Sequence, residues 1–284
     1  MTRPRLTFVL SSLAMGGAEA QLATVLEADR DAWRGYDLTV LTLTPERHPI
    51  VAERFARLGV AVALVDRTSR SFPSFLAALV RELRRQQPHL VHAFLAGTPS
   101  TWGRAAAILA GVPAVMLSDL SLDPPVSRVQ TLLDPLLHRR THAFLPNAQA
   151  IAERLIAAGA ARERVHVVRN GVDLERFDPD HAVSLRPAWG VPAGEVVVGF
   201  LGMLRPEKRA DLFVDALLAI PPDARPAAAV IAGDGPQAAT LRERIAQDAW
   251  ARDHVRMLGV VGDVPGFLAG IDVLVLPSDT EGLP

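Results

Sequence analysis

Short runs of β-branched and apolar residues alternate along the chain with longer stretches whose apolar positions recur at helical spacing. RLTFVLSS (5–12), DLTVLTL (37–43), VAVALVD (60–66), LVHAFL (90–95), AVMLSD (114–119), HAFLPN (142–147) and VHVVRN (165–170) read as strands. Amphipathic segments at Ala18–Ala28, Ser74–Gln86, Thr101–Ala110 and Ala148–Ala158 read as the helices between them. Strands that are apolar on both faces, joined through helices, predict a parallel sheet covered on both sides, a doubly wound α/β domain.

The pattern stops between Asp178 and Glu195, where Pro179, Pro187, Gly190, Pro192 and Gly194 punctuate a polar stretch. It restarts as VVVGFLG, helix Ala210–Ala219, AAAVIAGDG, helix Gln237–Asp248, VRMLGVV, a short helix Val264–Ala269 and DVLVLPS. The expected organisation is therefore a first domain at 1–178, a linker at 179–195 and a second, partial domain at 196–284. A doubly wound unit usually has about six strands. The second alternation yields four before Pro284, which fits a naturally small second domain less well than a chain cut short in that domain.

With 49% hydrophobic residues and 284 positions, the chain can bury a core of about two domains. Its net charge of −1 gives no global reason to expect nucleic acid as a partner, although residues 1–190 carry a net +4 and 191–284 a net −5. The absence of cysteine excludes disulfides and thiolate metal sites and favours a cytoplasmic protein. Arg3, Arg5, the run Leu6–Leu10 and Ala18-Glu19-Ala20 loosely mimic a secretory signal. That run is broken by Thr7, Ser11 and Ser12 and flows through Gly16-Gly17 into a helical pattern, so it reads better as a first strand and its turn. No window is long and apolar enough for a membrane span.

Ligands of open parallel sheets bind beyond the carboxyl ends of the strands, which is where candidate chemistry is sought. After the first strand, Gly16-Gly17 fits either an ordinary turn or a close backbone approach to a phosphate or sugar; it is not the G-x-G-x-x-G of dinucleotide enzymes. After the first strand of the second domain, GMLRPEKRAD presents Arg205 and Lys208 just before a helix, either as a solvated basic turn or as a diphosphate site. Lys208 is the only lysine in the chain; the other basic side chains are all arginine. AGDGP (232–236) reads as a turn and helix entry, and PSDTEGLP (277–284) places Glu281 and Gly282 after the last strand. His92 near the end of its strand fits a packing role as well as a catalytic one. Asp29-Arg30-Asp31 and the pair His138 and His142 resemble metal motifs, but lie away from strand ends or lack the intervening glutamate. No metal is expected.

Taken together, GGAE (16–19), LPNAQAIAERLIAAGAARERVHVVRNGVD (145–173), GMLRPEK (202–208), AGDGP (232–236) and PSDTEGLP (277–284) resemble, in this order and spacing, the retaining nucleotide-sugar glycosyltransferases of glycosyltransferase family 4. The resemblance covers essentially the whole chain and implies a GT-B fold, two Rossmann-like domains with the donor held mainly by the second and the acceptor mainly by the first. By resemblance, Lys208 contacts the donor diphosphate, Glu281 the donor sugar hydroxyls, and the backbone of Gly282 and Leu283 the diphosphate or sugar. Gly16 and Gly17 lie under the phosphates or acceptor, and Asn170, Gly171 and Asp173 have a structural role.

The chain departs from the family pattern in three places. Met203 stands where the family usually has arginine; if residues 203–205 are extended, Arg205 presents its charge from the same side. Ser118-Asp119 occupies the place after the fifth strand where the family often has histidine, which leaves the acceptor side, and any part for His92, open. The family's second glutamate would fall beyond Pro284, so activity of this chain by itself is not assured.

The implied function is metal-independent transfer of a sugar, with retention, from a nucleotide-diphosphate donor to a saccharide or lipid-linked acceptor, with His92 and Glu281 as catalytic candidates. No cofactor is expected beyond the nucleotide sugar as substrate. A nucleotide-sugar epimerase or phosphorylase of the same fold, or a binding module without catalysis, are the alternatives. In SFPSFLAALVRELRRQQ (71–87), the stripe Phe72, Phe75, Leu76, Leu79 and Leu83 beside Arg81, Arg84 and Arg85 could rest peripherally on anionic lipid, but a packed helix explains the same pattern more simply.

Overall fold

The computed structural model describes residues 3–95, 97–122 and 127–282. They form two compact units, one of the described residues up to 171 together with 281 and 282, and one of residues 172–280.

The first unit is a six-stranded, all-parallel sheet of β1 (Arg5–Leu10), β2 (Asp37–Thr42), β3 (Ala61–Leu64), β4 (Leu90–Phe94), β5 (Ala114–Ser118) and β6 (Ala143–Phe144), in the order β3-β2-β1-β4-β5-β6. This is the Rossmann order, with its topological switch between β1 and β4. The helices are α1 (Gly17–Ala28), the short α2 (Arg30–Trp33), α3 (Pro49–Arg57), α4 (Phe72–Gln86), α5 (Arg104–Ala110), α6 (Arg128–Arg140) and α7 (Gln149–Ala157). Alternate strand residues serve opposite faces. Phe8, Leu10, Val40 and Phe94 pack with Leu22 and Leu26 of α1 and Val51 and Phe55 of α3. Val9, Leu41, Val91 and Val115 pack with Phe75, Leu79 and Leu83 of α4 and Ala106 and Ala107 of α5. Each large side chain buried this way contributes ~1.5–3 kcal/mol.

Two expectations change here. Phe75, Leu79 and Leu83 have no exposed surface, so these three residues of the α4 stripe face the core, while Phe72 at the start of the helix is 47% exposed. Two of its arginines engage the protein: Arg84 donates to the Leu109 carbonyl and Arg85 to Glu82. The run VHVVRN is not a strand. His166 and Val168 donate to the carbonyls of Phe144 and Pro146. Proline has no N–H to return a bond, so the ladder with β6 does not close.

The second unit has β7 (Val197–Leu201), β8 (Ala228–Ala232), β9 (Val255–Gly259) and β10 (Val273–Leu274) in the parallel order β10-β7-β8-β9. Its helices are α8 (Ala210–Ala219), α9 (Ala238–Gln247), α10 (Ala249–His254) and α11 (Val264–Gly270). β8 is buried along its whole length. The segment read as a linker is built into this unit. Trp189 is buried edge-on against Phe267, with ring centroids 5.7 Å apart. Arg186 donates to the carbonyls of Gly270 and Glu195 and, at 2.5 Å, to Asp272.

Candidate active site

In the second unit, the loops after β7 and β8 are joined by backbone hydrogen bonds. The N–H of Gly202 donates to the Ala232 carbonyl, that of Leu204 to Asp234, and that of Gln237 to Leu204. Such close apposition explains the glycines of AGDGP. A Cβ at Gly233 would collide with the Gly202 carbonyl oxygen, and one at Gly235 would lie 2.6 Å from that of Leu204. Both have positive φ, 143° and 157°. Leu204 is fully buried and anchors its loop in the core of the unit.

The loop then turns through a 3-10 segment, Pro206–Lys208, and enters α8 through Arg209, a non-glycine residue at φ 53°. Arg209 is held by Asp211 and, at 3.0 Å, by Asp279 in the loop after β10; the Asp279 N–H donates to the Glu207 carbonyl. Arg205 is exposed and Lys208 half-buried at the entrance of α8. Residues 203–205 are not extended. The N–H of Arg205 donates to the Met203 carbonyl at 2.9 Å, a three-residue turn around Leu204, so the shared strand face expected for Met203 and Arg205 does not exist.

Glu281 and Gly282, assigned from the sequence to the second domain, pack with the first unit. A Cβ at Gly282 would lie 2.6 Å from the Leu120 carbonyl oxygen and 3.0 Å from Ile151 of α7. The close approach that this glycine permits is to the loop after β5. Leu283 lies outside the described residues.

In the first unit, Gly16 precedes α1 in extended conformation, and a side chain there would strike the carboxylate of the buried Glu19. Gly17, the first residue of α1, faces open space. One turn on, the Gln21 amide, oriented to satisfy both of its atoms, pairs with the N–H and C=O of Gly171, and Asn147 donates to Asn170 at 3.4 Å. This ties Gly171 to α1 and Asn170 to the loop after β6.

His92 and Ser118 meet at the ends of β4 and β5, Nε2 to Oγ 2.8 Å, with Phe8 and Phe94 against the imidazole. Burial pushes His92 down to about 4, so its ring is neutral at pH 7. Asp119 is buried. It accepts from Arg154 at 2.5 Å, and Arg154 also donates to the Ser121 carbonyl, which fixes the start of the loop. Burial raises the Asp119 carboxyl against the pull of Arg154.

Beneath this loop lies a polar cluster that the sequence reading missed. Arg104, at the start of α5, has no exposed surface; it donates to the carbonyl and hydroxyl of Ser100, to Thr141, and at 2.8 Å to Asp134 of α6. Burial lowers Arg104 to about 10, still charged at neutral pH. His138, one turn after Asp134, is pushed to about 4 by burial and then by the Arg104 charge. Arg104, Asp119, Asp134, His138 and Arg154 border a cavity of about 270 Å3. The available signal was a lone charge in the otherwise apolar helix RAAAILA. The metal-like pairs have other roles: Asp29 caps α2, Asp31 pairs with Arg34, and the His142 ring accepts from the Val115 N–H.

Parallel Rossmann-like sheets, each with a glycine-bearing loop leading from its first strand into a helix, define the class of α/β proteins that bind ligands at the carboxyl edge of the sheet. Residues 15–176 match the family model Glycosyltransferase Family 4 and residues 195–284 the model Glycosyl transferases group 1. The chain belongs to glycosyltransferase family 4.

It is similar to 2-deoxystreptamine glucosyltransferase of Streptomyces kanamyceticus, 31% identical over 234 residues that cover 74% of this chain and 60% of the relative. It is also similar to UDP-Gal:alpha-D-GlcNAc-diphosphoundecaprenol alpha-1,3-galactosyltransferase of Escherichia coli, 28% identical over 228 residues, 74% of this chain and 57% of that one. The chain thus spans less than two thirds of the length of both relatives. HepE of Anabaena, crystallised with UDP and glucose, superposes with a TM-score of 0.76 at 22% identity, covering 97% of this chain and 74% of HepE. That likeness establishes the GT-B fold.

Proposed function

We propose that the protein transfers a sugar from a nucleotide-diphosphate donor to a saccharide or lipid-linked acceptor, with retention and without a metal. The observation that carries this reading is the loop Gly202–Lys208. Backbone bonds to the neighbouring loop hold it rigid, and it carries Arg205 and Lys208 to the entrance of α8. Glycosyl transfer passes through an oxocarbenium-like state while the leaving diphosphate gains negative charge. A lysine ammonium and a helix N-terminus meet that charge without reorganising; one such donor is worth ~3–4 kcal/mol in the transition state.

Glu281 binds donor hydroxyls in this reading, and Gly282 brings backbone to the sugar or diphosphate. On the acceptor side, Gly17 leaves the start of α1 open to an incoming hydroxylic or anionic group. Ser118 and Asp119 line the acceptor path, held from behind by His92 and Arg154. A neutral, desolvated His92 is suited to orienting the Ser118 hydroxyl rather than to supplying charge. The enzyme works in the cytoplasm, where nucleotide sugars serve as donors.

Calorimetry with UDP and GDP, followed by incubation with radiolabelled nucleotide sugars with and without saccharide and lipid-linked acceptors, tests the reading. Acceptor-dependent product is expected. Epimerised sugar formed without acceptor, or nucleotide binding without turnover, would replace it with the epimerase or binding-module reading.

A further inference from the structure

We infer that the cavity between α5, α6 and α7 is a binding site for one uncharged, polyhydroxylated ring, of the size of a hexose or cyclitol. Three of the side chains that border it, Arg104, Asp119 and His138, are 0%, 3% and 4% exposed. Polar groups buried around a space cost free energy unless each finds a partner. Here the fold leaves some of them over. The Nε of Arg154 is buried and has no partner among the described residues. His138 Nδ1 lies 3.2 Å from the Ala158 carbonyl, which can only accept, so Nδ1 carries the proton and the neutral ring keeps Nε2 as an acceptor. Ser100 and Thr101 reach the cavity from a π-helical turn, Pro99–Gly103, an irregularity that is rare and frequent at functional sites.

Charge and size select the occupant. Each guanidinium is paired with one carboxylate, Arg104 with Asp134 at 2.8 Å and Arg154 with Asp119 at 2.5 Å, so the charges of the lining cancel. An anionic ligand would have to take an arginine from its aspartate, and an ammonium ligand an aspartate from its arginine. Either exchange strands a buried charge. A hydroxyl group donates to a carboxylate or to His138 Nε2 and accepts from a guanidinium, so a ring of hydroxyls meets this lining with both ion pairs intact. Leu117 and Leu155 offer apolar contact to the C–H edges of such a ring. At about 270 Å3 the cavity equals about nine waters at ~30 Å3 each, which is room for a single ring. It lies below the ~300–1,000 Å3 of sites for larger ligands. The ring is one unit of the acceptor or a separate small molecule; only the first assignment rests on the reading above, in which Asp119 also lines the acceptor path.

Ligand-observed NMR titrations of the protein with myo-inositol, glucose, glucose 6-phosphate and glucosamine test this. Saturable binding of at least one of the two neutral rings is expected, with the phosphate and ammonium analogues weaker by about ten-fold or more. Thr131 and Ala158 border the cavity and are themselves exposed, so Thr131→Phe and, separately, Ala158→Phe obstruct it without altering either ion pair. Each variant should lose the ring and keep the wild-type circular dichroism, melting midpoint and UDP affinity, so failure here and failure of the donor reading are told apart. In transfer assays, inhibition by the ring that excess acceptor relieves assigns the site to the acceptor; an effect on rate that acceptor does not relieve assigns it to a separate molecule. Ring binding in a protein that transfers no sugar would keep the site and remove the transfer reading. Absence of saturable binding by either neutral ring would overturn the inference. So would tighter binding of a charged analogue, or ring binding unaltered in both phenylalanine variants.

Discussion

His92 Nε2 lies 2.8 Å from Ser118 Oγ, on the strand next to it, and the imidazole that makes this bond is enclosed by Phe8 and Phe94. The pair joins a desolvated ring to the residue that opens the loop after β5. The next residue, Asp119, is clasped by Arg154, so consecutive side chains of one loop are fixed from opposite sides of the sheet. Ser118 and Asp119 are therefore both held in place by side chains behind them.

The same ring makes stability depend on pH. His92 and His138 titrate at about 4 in the folded chain, against an ordinary value near 6.5. Between these values the unfolded chain binds more protons than the folded one, so stability is full above about pH 6.5 and falls as pH drops toward 4. The buried carboxyls Asp119 and Asp134 are raised and act in the opposite sense. The histidine contribution is therefore read as a difference. Urea denaturation of wild type and His92→Gln at pH 7 and pH 5 should show a smaller loss of stability for the variant.

Gly16 and Gly17 separate structure from function. Alanine at Gly16 displaces the buried Glu19 carboxylate and should destabilise by about 1 kcal/mol or more. Alanine at Gly17 meets nothing and improves helix propensity, so its stability should be unchanged or higher by up to ~1 kcal/mol. Transfer should nevertheless slow in Gly17→Ala, because the methyl group occupies the open approach to α1. Denaturation curves beside initial rates decide this; an unaltered rate would remove Gly17 from the site.

Gly233→Ala sets a side chain against the Gly202 carbonyl, on backbone that cannot yield without parting the two loops. A cost above ~3 kcal/mol, or failure of the second unit to fold, is expected from overpacking and the φ of 143° together. Gly262→Ala, where a Cβ meets nothing within 4 Å, serves as control and should change stability by less than ~0.5 kcal/mol. Thermal melts of the two variants check the contrast.

The Arg104–Asp134 pair should behave as a buried ion pair. Arg104→Met leaves Asp134 without its partner and should cost ~3–5 kcal/mol, whereas Arg104→Met with Asp134→Leu should recover most of that loss. The cycle is read by chemical denaturation. Additive effects would mean that the two side chains contribute independently.

What the sequence discloses is periodicity and address. Helix Ala210–Ala219 is legible to the residue because Phe213, Val214 and Leu217 recur at helical spacing between a basic turn and Pro221-Pro222. α6 is not legible, because Pro135 interrupts its interior and its apolar residues serve two faces at once. VHVVRN alternates like a strand, and only the pairing with β6 reveals that Pro146 cannot complete the ladder. The candidate site divides in the same way. That glycines follow strand ends is plain from the sequence, but a glycine does not say what approaches it. At Gly233 and Gly235 it is a neighbouring loop, and at Gly282 it is the Leu120 carbonyl. Nor can spacing reveal that residues 203–205 form a turn.

Lys208 is the remaining test of the donor site. It follows β7 at the entrance to α8, and it is the only lysine in a chain that otherwise uses arginine. Arg209 beside it is held by Asp211 and Asp279, which makes Arg209 a brace between the loops after β7 and β10. If Lys208 meets a diphosphate end-on, its compact ammonium is not replaced by a planar guanidinium of the same charge. Lys208→Arg should then lose at least ten-fold in transfer rate, with Lys208→Ala lower still, while Arg205→Ala chiefly weakens nucleotide affinity. Initial rates and UDP titrations of the three variants separate these effects. Full activity in Lys208→Arg would mean that any cation serves at this position, and an unchanged UDP affinity in Arg205→Ala would exclude that residue from the diphosphate.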